Sequence, residues 1–354
     1  MSVPAAERIR VLVVDDSALI RQLLTEILNG DQGIEVVGVA PDPFVAREKI
    51  KALNPDVLTL DIEMPKMDGL SFLQKLMALR PMPVVVVSTL TQKGADAALH
   101  ALELGAVDYV AKPLLDIRKG IVELGEELVT KVKAAAGARI WARSRGKTVI
   151  RPAVFDHRLS SDGVIVAVGA STGGVEALQK LLLGLPSNVP AMLVTQHMPA
   201  GFTASFAKRL DEQCAMSVSE AADKVQVLPG HVYIAPGNWH LELARSGARY
   251  FCRLHGDAPV SGHRPSVDVL FNSFAEQAGK NAMGVILTGM GNDGAAGLLK
   301  MRRAGAHTVG QDEASCLIYG MPKVAKQLGA VDTELPLARI PQEILSYCKE
   351  RAVP

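Results

Sequence analysis

Three side chains that could carry out nucleophilic hydrolysis follow three apolar segments in the second half of the chain. Ser171 lies in Gly-Ala-Ser-Thr-Gly-Gly at residues 169–174, His197 follows a second apolar segment, and Asp293 lies in a glycine-rich loop. Such hydrolysis needs a hydroxyl, a base that takes its proton and a carboxylate that orients the base. The three residue types are therefore those of a Ser-His-Asp triad.

Each of these residues also has a structural interpretation. A glycine turn between a strand and a helix can cradle a phosphate instead of presenting a nucleophile. His240, His255 and His263 are equally visible histidines, and Asp293 could simply cap the helix predicted to begin near residue 294. The triad interpretation rests on the three residues together, because the carboxyl ends of parallel strands share one edge of a sheet.

The loop at residues 289–294 contains three glycines. Backbone amides in such a loop could point at the oxyanion that develops during attack on a carbonyl. The N–H of Met290 is the predicted donor. This loop therefore supports acyl chemistry at the same sheet edge.

A second group of polar residues lies in the first 130 residues. Asp15 and Asp16 follow the first predicted strand, Asp61 ends the third, Ser88 ends the fourth, and Lys112 follows the fifth. Three carboxylates at one edge repel each other unless a cation neutralises them, and Mg²⁺ prefers oxygen ligands. Taken singly, each aspartate could be a solvated helix cap. Taken together, they predict a pocket where a metal orients an incoming phosphoryl group.

Two sheets are needed to position these residues. The alternation of β-rich and helical segments predicts an α/β chain whose first part is a doubly wound, five-stranded parallel sheet. From residue 164, a second alternating pattern predicts a mostly parallel sheet with an added β-hairpin. The predicted strands are residues 9–14, 34–40, 57–60, 84–88, 109–111, 164–168, 191–195 and 283–288, with shorter strands or a hairpin at 232–233, 240–243 and 249–254.

Charge is distributed unevenly along the 354 residues, a length that favours two domains. Residues 1–130 carry 13 Lys or Arg against 19 Asp or Glu, residues 131–158 carry eight against one, and residues 159–354 carry 17 of each. We predict a domain at 1–132, a basic linker at 133–162 and a second domain at 163–354. Neither domain has the basic face of a nucleic-acid-binding protein, so no nucleic-acid partner is expected.

The longest apolar stretches are far shorter than the roughly 20 residues that cross a bilayer, and the N-terminus shows no signal peptide. We therefore expect a cytoplasmic protein without membrane insertion. The cysteines are widely spaced, which favours free thiols over disulfides or a zinc site. They are Cys214, Cys252, Cys316 and Cys348.

Three motifs of the first domain resemble the receiver domain of bacterial response regulators. They are Val-Val-Asp-Asp-Ser at residues 13–17, Leu-Asp-Ile-Glu-Met-Pro-Lys-Met-Asp-Gly at 60–69, and Tyr-Val-Ala-Lys-Pro at 109–113. The resemblance implies a flavodoxin-like fold with Asp61 as the phosphate acceptor. It also makes the Lys112–Pro113 bond a candidate cis peptide.

The same resemblance implies roles for the residues around the phosphate. A Mg²⁺ ion, needed for phosphorylation only, would be held by carboxylates and one backbone carbonyl. The hydroxyl, amine and aromatic side chains would form the phosphorylation switch. The implied metal residues are Asp15, Asp16, Asp61 and Glu63, the last through its carbonyl, and the switch residues are Ser88, Tyr109 and Lys112.

The second domain resembles the chemotaxis response-regulator methylesterase (CheB) family. The matching motifs lie at residues 169–174, 196–199, 234–237, 263–268 and 288–295, so that the resemblance omits only the linker and the last residues. It implies Ser171, His197 and Asp293 as the triad, without a cofactor for the esterase. Thr172 and Met290 would shape the site, whereas His263, Arg264 and Asp268 receive no role.

The resemblance further implies hydrolysis of glutamate γ-methyl esters, and deamidation of glutamines, on the cytoplasmic domains of methyl-accepting chemoreceptors. A chemotaxis histidine kinase would be the phosphodonor, and the protein would be recruited to receptor arrays. Phosphorylation of Asp61 would activate the enzyme, under the hypothesis that the unphosphorylated receiver covers the triad. Three alternatives are a receiver joined to a phosphate-binding domain, a transcriptional regulator and a general small-ester hydrolase.

Overall fold

The computed structural model describes residues 8–64, 68–89, 91–112, 119–138 and 163–352. The chain divides into two units, Met1–Gly146 and Lys147–Pro354. No helix among the described residues is long and apolar enough to cross a membrane. Pro113 and most of the predicted linker lie outside the described residues, so the candidate cis peptide and the domain bounds stay predictions.

The N-terminal unit contains a five-stranded sheet with the order β2-β1-β3-β4-β5, in which every neighbouring pair is parallel. The valine-rich central strands are buried along their whole length, as expected for a sheet covered on both faces. The predicted five-stranded doubly wound sheet is confirmed. Its elements are β1 (Ile9–Val14), α1 (Ala18–Asn29), β2 (Ile34–Ala40), α2 (Pro43–Leu53), β3 (Val57–Asp61), α3 (Gly69–Leu79), β4 (Val84–Ser88), α4 (Gln92–Leu104), β5 (Asp108–Ala111) and α5 (Lys119–Ala136).

Capping side chains begin the helices that follow the first four strands. Ser17, Asp42, Asp68 and Thr91 each accept a hydrogen bond from a backbone N–H in the first turn of their helix. Because Ser17 lies three residues after the end of β1, Asp15 and Asp16 stay at the carboxyl edge of the sheet. This edge is where the predicted phosphorylation residues are placed.

The C-terminal unit contains a seven-stranded sheet with the order β14-β13-β12-β6-β7-β9-β8, again with parallel pairs throughout. Two further strands, β10 and β11, form an antiparallel hairpin, as predicted. The elements are β6 (Ile165–Ala170), α6 (Gly174–Leu183), β7 (Ala191–Gln196), α7 (Phe202–Gln213), β8 (Ser217–Glu220), β9 (His231–Ile234), β10 (His240–Ser246), β11 (Arg249–His255), α8 (Val267–Gln277), β12 (Ala282–Ile286), α9 (Ala295–Arg303), β13 (His307–Gln311), α10 (Met321–Gln327), β14 (Thr333–Leu335) and α11 (Ile340–Ala352).

The strand β6 lies at the centre of this sheet, between β12 and β7, and all six of its residues are buried. The helix α8 packs against it, and the fully buried rings of Phe271 and Phe274 belong to the same core as Ile165. The carboxyl ends of β12, β6 and β7 are therefore neighbours at one edge of the sheet. The predicted triad residues follow these three ends.

Candidate active site and phosphorylation pocket

Ser171 directly follows β6 and is the first of three residues that connect β6 to α6. Gly173 has φ +79°, and a Cβ added there would lie 2.7 Å from the Cβ of Leu317, so only glycine fits this turn. The Ser171 N–H donates to the carbonyl of Thr288 at 3.0 Å, which ties the turn to the segment after β12. The hydroxyl is thereby held at the sheet edge on a short, fixed turn.

His197 directly follows β7 and faces Ser171. Its Nδ1 lies 3.1 Å from Ser171 Oγ, and its Nε2 lies 2.8 Å from Asp293 Oδ2. An ionised carboxylate can only accept hydrogen bonds, so the facing Nε2 carries a proton. In the neutral ring, Nδ1 is then free to accept the Ser171 hydroxyl proton. The structure therefore joins the three predicted triad residues into one hydrogen-bonded chain.

Asp293 is held by the N-terminus of α8. Its carboxylate accepts from the Val267 N–H at 2.7 Å, the Asp268 N–H at 3.0 Å and the Ser266 hydroxyl at 2.8 Å. Gly294, not Asp293, is the N-cap residue of α9, and the Asp268 carboxylate accepts from the Gly297 N–H in the first turn of that helix at 2.7 Å. Asp293 thus supplies the missing acceptor for the first turn of a different helix, where the helix dipole favours a negative charge.

Burial alone would raise the pKa of Asp293. The hydrogen bond and charge of His197, together with the N–H groups of Asp268 and Val267, outweigh burial and hold the pKa of Asp293 below its ordinary value. The carboxylate is consequently ionised at neutral pH. It can fix the His197 tautomer and stabilise the imidazolium that forms when His197 takes a proton.

Several residues around this chain were given no role by the sequence. The His263 ring stacks on His197 with centroids 3.7 Å apart. The buried His240 accepts from the Ser266 N–H at 3.2 Å, and burial lowers its pKa, in agreement with a neutral ring. Gln196 bridges Ser171 and His197. No local spacing motif marks these contacts, since each depends on segments that meet only in the fold.

The predicted oxyanion donor lies beside the nucleophile. A Cβ added to Gly289 would lie 2.8 Å from the Ser171 Cβ, so the loop carrying Met290 approaches the serine closely. The Met290 N–H donates no hydrogen bond within the described residues. Thr172 is buried, and its carbonyl accepts from the Thr288 hydroxyl at 3.0 Å. Both predicted neighbours therefore flank the serine, while their roles stay predictions.

In the N-terminal unit, Asp15, Asp16 and Asp61 converge at the carboxyl edge of the sheet. One carboxylate oxygen from each lies within 4.8 Å of the other two. The Lys112 ammonium lies 2.9 Å from Asp15 and 2.8 Å from Asp61. Burial raises the pKa of Asp15, and Lys112 offsets only part of that rise. Three oxygen donors of this kind fit a Mg²⁺ ion.

Glu63 is the remaining residue predicted to bind the metal, and Ser88 and Tyr109 are the remaining predicted switch residues. The Glu63 N–H donates to Asp61 Oδ1 at 3.1 Å, and the buried Ser88 hydroxyl donates to the Gly94 carbonyl at 3.0 Å. Tyr109 is 2% exposed, and the Lys131 ammonium lies 5.0 Å from the centre of its ring. The aromatic side chain is therefore on the inside of the unit in this structure.

Comparison with known proteins bears on both units. The sequence model described as CheB methylesterase matches residues 166–344, and that of the response regulator receiver domain matches residues 11–121. A protein-glutamate methylesterase/protein-glutamine glutaminase from Bordetella parapertussis is 58% identical over 346 residues, which cover 98% of this chain and 99% of that protein. The chain belongs to the CheB methylesterase family.

This CheB family member is also similar to a second full-length protein and to a solved catalytic domain. A protein of the same name from Salmonella choleraesuis is 57% identical and covers 96% of this chain and 97% of its own length. The crystal structure of the Thermotoga maritima CheB methylesterase catalytic domain matches with a TM-score of 0.51 at 39% identity, over 52% of this chain and 98% of that one. The predicted family is thereby confirmed.

Proposed function

We propose that the protein hydrolyses glutamate γ-methyl esters and deamidates glutamines on chemoreceptors, and that phosphorylation of its receiver activates it. The observation that carries the proposal is the continuous hydrogen-bonded chain from Ser171 through His197 to Asp293. The identity to methylesterase/glutaminase relatives over nearly the whole chain supports the substrate class. A receiver domain on the same chain supports control by phosphorylation.

In the first half of the reaction, Ser171 Oγ attacks the ester carbonyl while His197 Nδ1 takes the hydroxyl proton. The new imidazolium donates from Nε2 to Asp293, whose charge stabilises it. The Met290 N–H would stabilise the negative charge on the former carbonyl oxygen. His197 then returns the proton to the departing methoxy group, which leaves as methanol, and the glutamyl side chain remains bonded to Ser171.

In the second half, water replaces methanol. His197 takes a proton from the water as its oxygen attacks the acyl carbon, and it returns that proton to Ser171 Oγ as the acyl bond breaks. The products are a free glutamate carboxylate and the original hydroxyl. Glutamine follows the same path with ammonia as the leaving group, because His197 protonates the departing nitrogen.

In the receiver, Asp61 would accept the phosphoryl group, and Asp15, Asp16 and the Glu63 carbonyl would hold Mg²⁺ with it; the convergence of the three carboxylates supports this assignment. When bound, the metal neutralises the carboxylates and the incoming phosphate. Lys112, which contacts Asp61, would pair with the phosphoryl oxygens, and the Ser88 hydroxyl would exchange its bond to Gly94 for a bond to phosphate. The added negative charge is the signal that activates the esterase.

The substrate sites are chemoreceptor cytoplasmic domains, and the phosphodonor is a chemotaxis histidine kinase. Both would lie in the cytoplasm, where we place this protein. Methylated glutamates and glutamines differ only in the leaving group, so that one triad serves both.

Methanol release from methylated chemoreceptor membranes tests the proposal, with and without a small phosphodonor and Mg²⁺. We expect the phosphodonor to stimulate release by the wild-type protein, Ser171→Ala to abolish release, and Asp61→Asn to lose only the stimulation. Near-wild-type release by Ser171→Ala would contradict the triad. No release by the wild type under any condition would contradict the proposed substrate.

A further inference from the structure

Gln196 is the last residue of β7 and directly precedes His197. It pairs with Ala170 in the sheet, the residue that directly precedes Ser171. Its side chain is 4% exposed, although it carries a polar amide. The reaction described above does not use this group.

The amide nitrogen of Gln196 bridges the two residues that react. Its Nε2 donates to the Ser171 carbonyl at 3.0 Å and to the His197 carbonyl at 3.2 Å. The Ser171 carbonyl also accepts from the Gly174 N–H at 2.7 Å. One side chain thus uses both of its N–H bonds on the backbones of the predicted nucleophile and base.

The oxygen of the same amide has an unfavourable position. Gln196 Oε1 is buried and accepts no hydrogen bond from the described residues. A Cβ added to Gly174 would lie only 2.0 Å from it. A buried polar atom without a partner is unfavourable by about 1–3 kcal/mol. Turning the amide over would place this oxygen against two carbonyls, so the nitrogen must face Ser171 and His197.

These contacts fix the planes of two peptide groups. The C=O and N–H of a trans peptide point in opposite directions, so a carbonyl that is held also fixes the N–H of the following residue. Gln196 therefore sets the orientation of the backbone on both sides of the Ser171–His197 hydrogen bond. A displacement of about 1 Å at such a pair can lower turnover about 100-fold.

We propose that Gln196 is a positioning residue that clamps the backbones of Ser171 and His197 in the geometry needed for attack. The inference rests on the proposed function for the roles of these two residues. It adds a residue that touches neither substrate nor reacting atoms. Its chemistry requires an amide, since the side chain must donate twice and carry no charge.

The test compares Gln196→Met, Gln196→Glu and the matched control Gln179→Met, which removes a half-buried amide of α6 that donates to Gln213 Oε1 at 2.6 Å, away from the triad. Methanol release gives kcat and KM, a fluorophosphonate gives the rate of Ser171 modification, and thermal unfolding reports the fold. We expect Gln196→Met to lower kcat and the modification rate about 30- to 100-fold, with KM within about threefold. Gln179→Met should match the wild type.

The Gln196→Glu variant adds a measurement, the pH dependence of Ser171 modification, that would not change if Gln196 had only a structural role. A neutral carboxyl at this position has one O–H to donate and an ionised one has none. Burial beside two carbonyls raises the pKa of that introduced carboxyl. We therefore expect its modification rate, relative to that of the wild type, to fall as the pH rises.

The outcomes separate this inference from the proposed function. A Gln196→Met protein with kcat within threefold of the wild type would overturn the inference and leave the proposed function standing. A pH-independent ratio for Gln196→Glu would also overturn it. If the wild type released no methanol, the proposed function would fail, while the rate of Ser171 modification would still decide the role of Gln196.

Discussion

Replacing Asp293 by asparagine tests the contribution of its negative charge, because asparagine has nearly the same shape but is neutral. The carboxylate accepts four hydrogen bonds, two on each oxygen. An amide nitrogen in place of Oδ1 would face the Asp268 N–H, and in place of Oδ2 it would face the Val267 N–H. Either orientation leaves one backbone N–H of α8 without an acceptor. The Oδ1 position is the less unfavourable of the two, because the Ser266 hydroxyl can rotate and accept.

Two effects of Asp293→Asn can be estimated. Loss of the negative charge beside His197 should lower kcat about 10³-fold, or about 4 kcal/mol at 1.36 kcal/mol per tenfold. One orphaned N–H and a lost charge at a helix N-terminus should lower the free energy of unfolding by about 2–4 kcal/mol. For a unit of this size, the melting temperature should fall by about 5–15 °C.

Methanol release at 20 °C and thermal unfolding measure the two effects in the same preparation. Asp211→Asn is the control, because Asp211 accepts a backbone N–H from Val218 at 2.8 Å and lies outside the triad. The control should lose some stability and keep its kcat. A folded Asp293→Asn protein with kcat within tenfold of the wild type would refute the assigned role of Asp293.

The stability difference should also depend on pH. The pKa of Asp293 is lowered by folding, so its carboxylate stabilises the fold above the unfolded pKa of about 3.9. This contribution is lost as the pH falls through the lower pKa of the folded state. Unfolding titrations of the wild type and Asp293→Asn should therefore converge at acid pH. A difference that stayed constant down to the acid limit would show that the charge contributes nothing to stability.

Three further predictions concern other contacts. Ser266→Ala should lower kcat about tenfold, because it removes one charge-assisted hydrogen bond from Asp293, and an unchanged kcat would contradict this. Lys112→Met should lower the melting temperature of the receiver, because buried Asp15 and Asp61 then lack a cation. Mg²⁺ should raise that melting temperature more in the variant than in the wild type. The absence of any Mg²⁺ effect on either protein would contradict the metal assignment. Native thiols should resist iodoacetamide at pH 7.5, because burial raises every cysteine pKa, and rapid alkylation would contradict that burial. Those pKa values are about 11 for Cys214 and Cys348 and about 12 for Cys252 and Cys316.

Much of the sheet could be predicted because apolar strands alternate with amphipathic helices. The strand β13 was not predicted, because its segment His-Thr-Val-Gly-Gln at residues 307–311 contains few apolar residues. Its buried Thr308 and Gln311 are satisfied by Asp332 and by the Thr288 N–H, contacts that no local pattern shows. Buried polar residues with long-range partners are thus the part of the fold that hydropathy misses.

The convergence of Ser171, His197 and Asp293 could be anticipated, because each follows a strand at the same sheet edge. The contacts that hold these three residues could not be predicted from the sequence. Asp293 could have capped the next helix, but it accepts from the N-terminus of α8, which begins 26 residues earlier. The clamp made by Gln196 depends on the orientation of its side chain. The motif at residues 196–199 contains Gln196, but the spacing of its residues does not predict this role.

The separation of the triad residues along the chain has a consequence for the return of activity after denaturation. The pairs that build the site are 26 residues apart for Ser171–His197 and 96 for His197–Asp293. Individual helices form within microseconds, whereas contacts between distant segments must first close long loops. During refolding, helical circular dichroism should therefore recover before Ser171 reacts with a fluorophosphonate. Hydrolysis would be the last property regained, which makes it a sensitive reporter of complete folding.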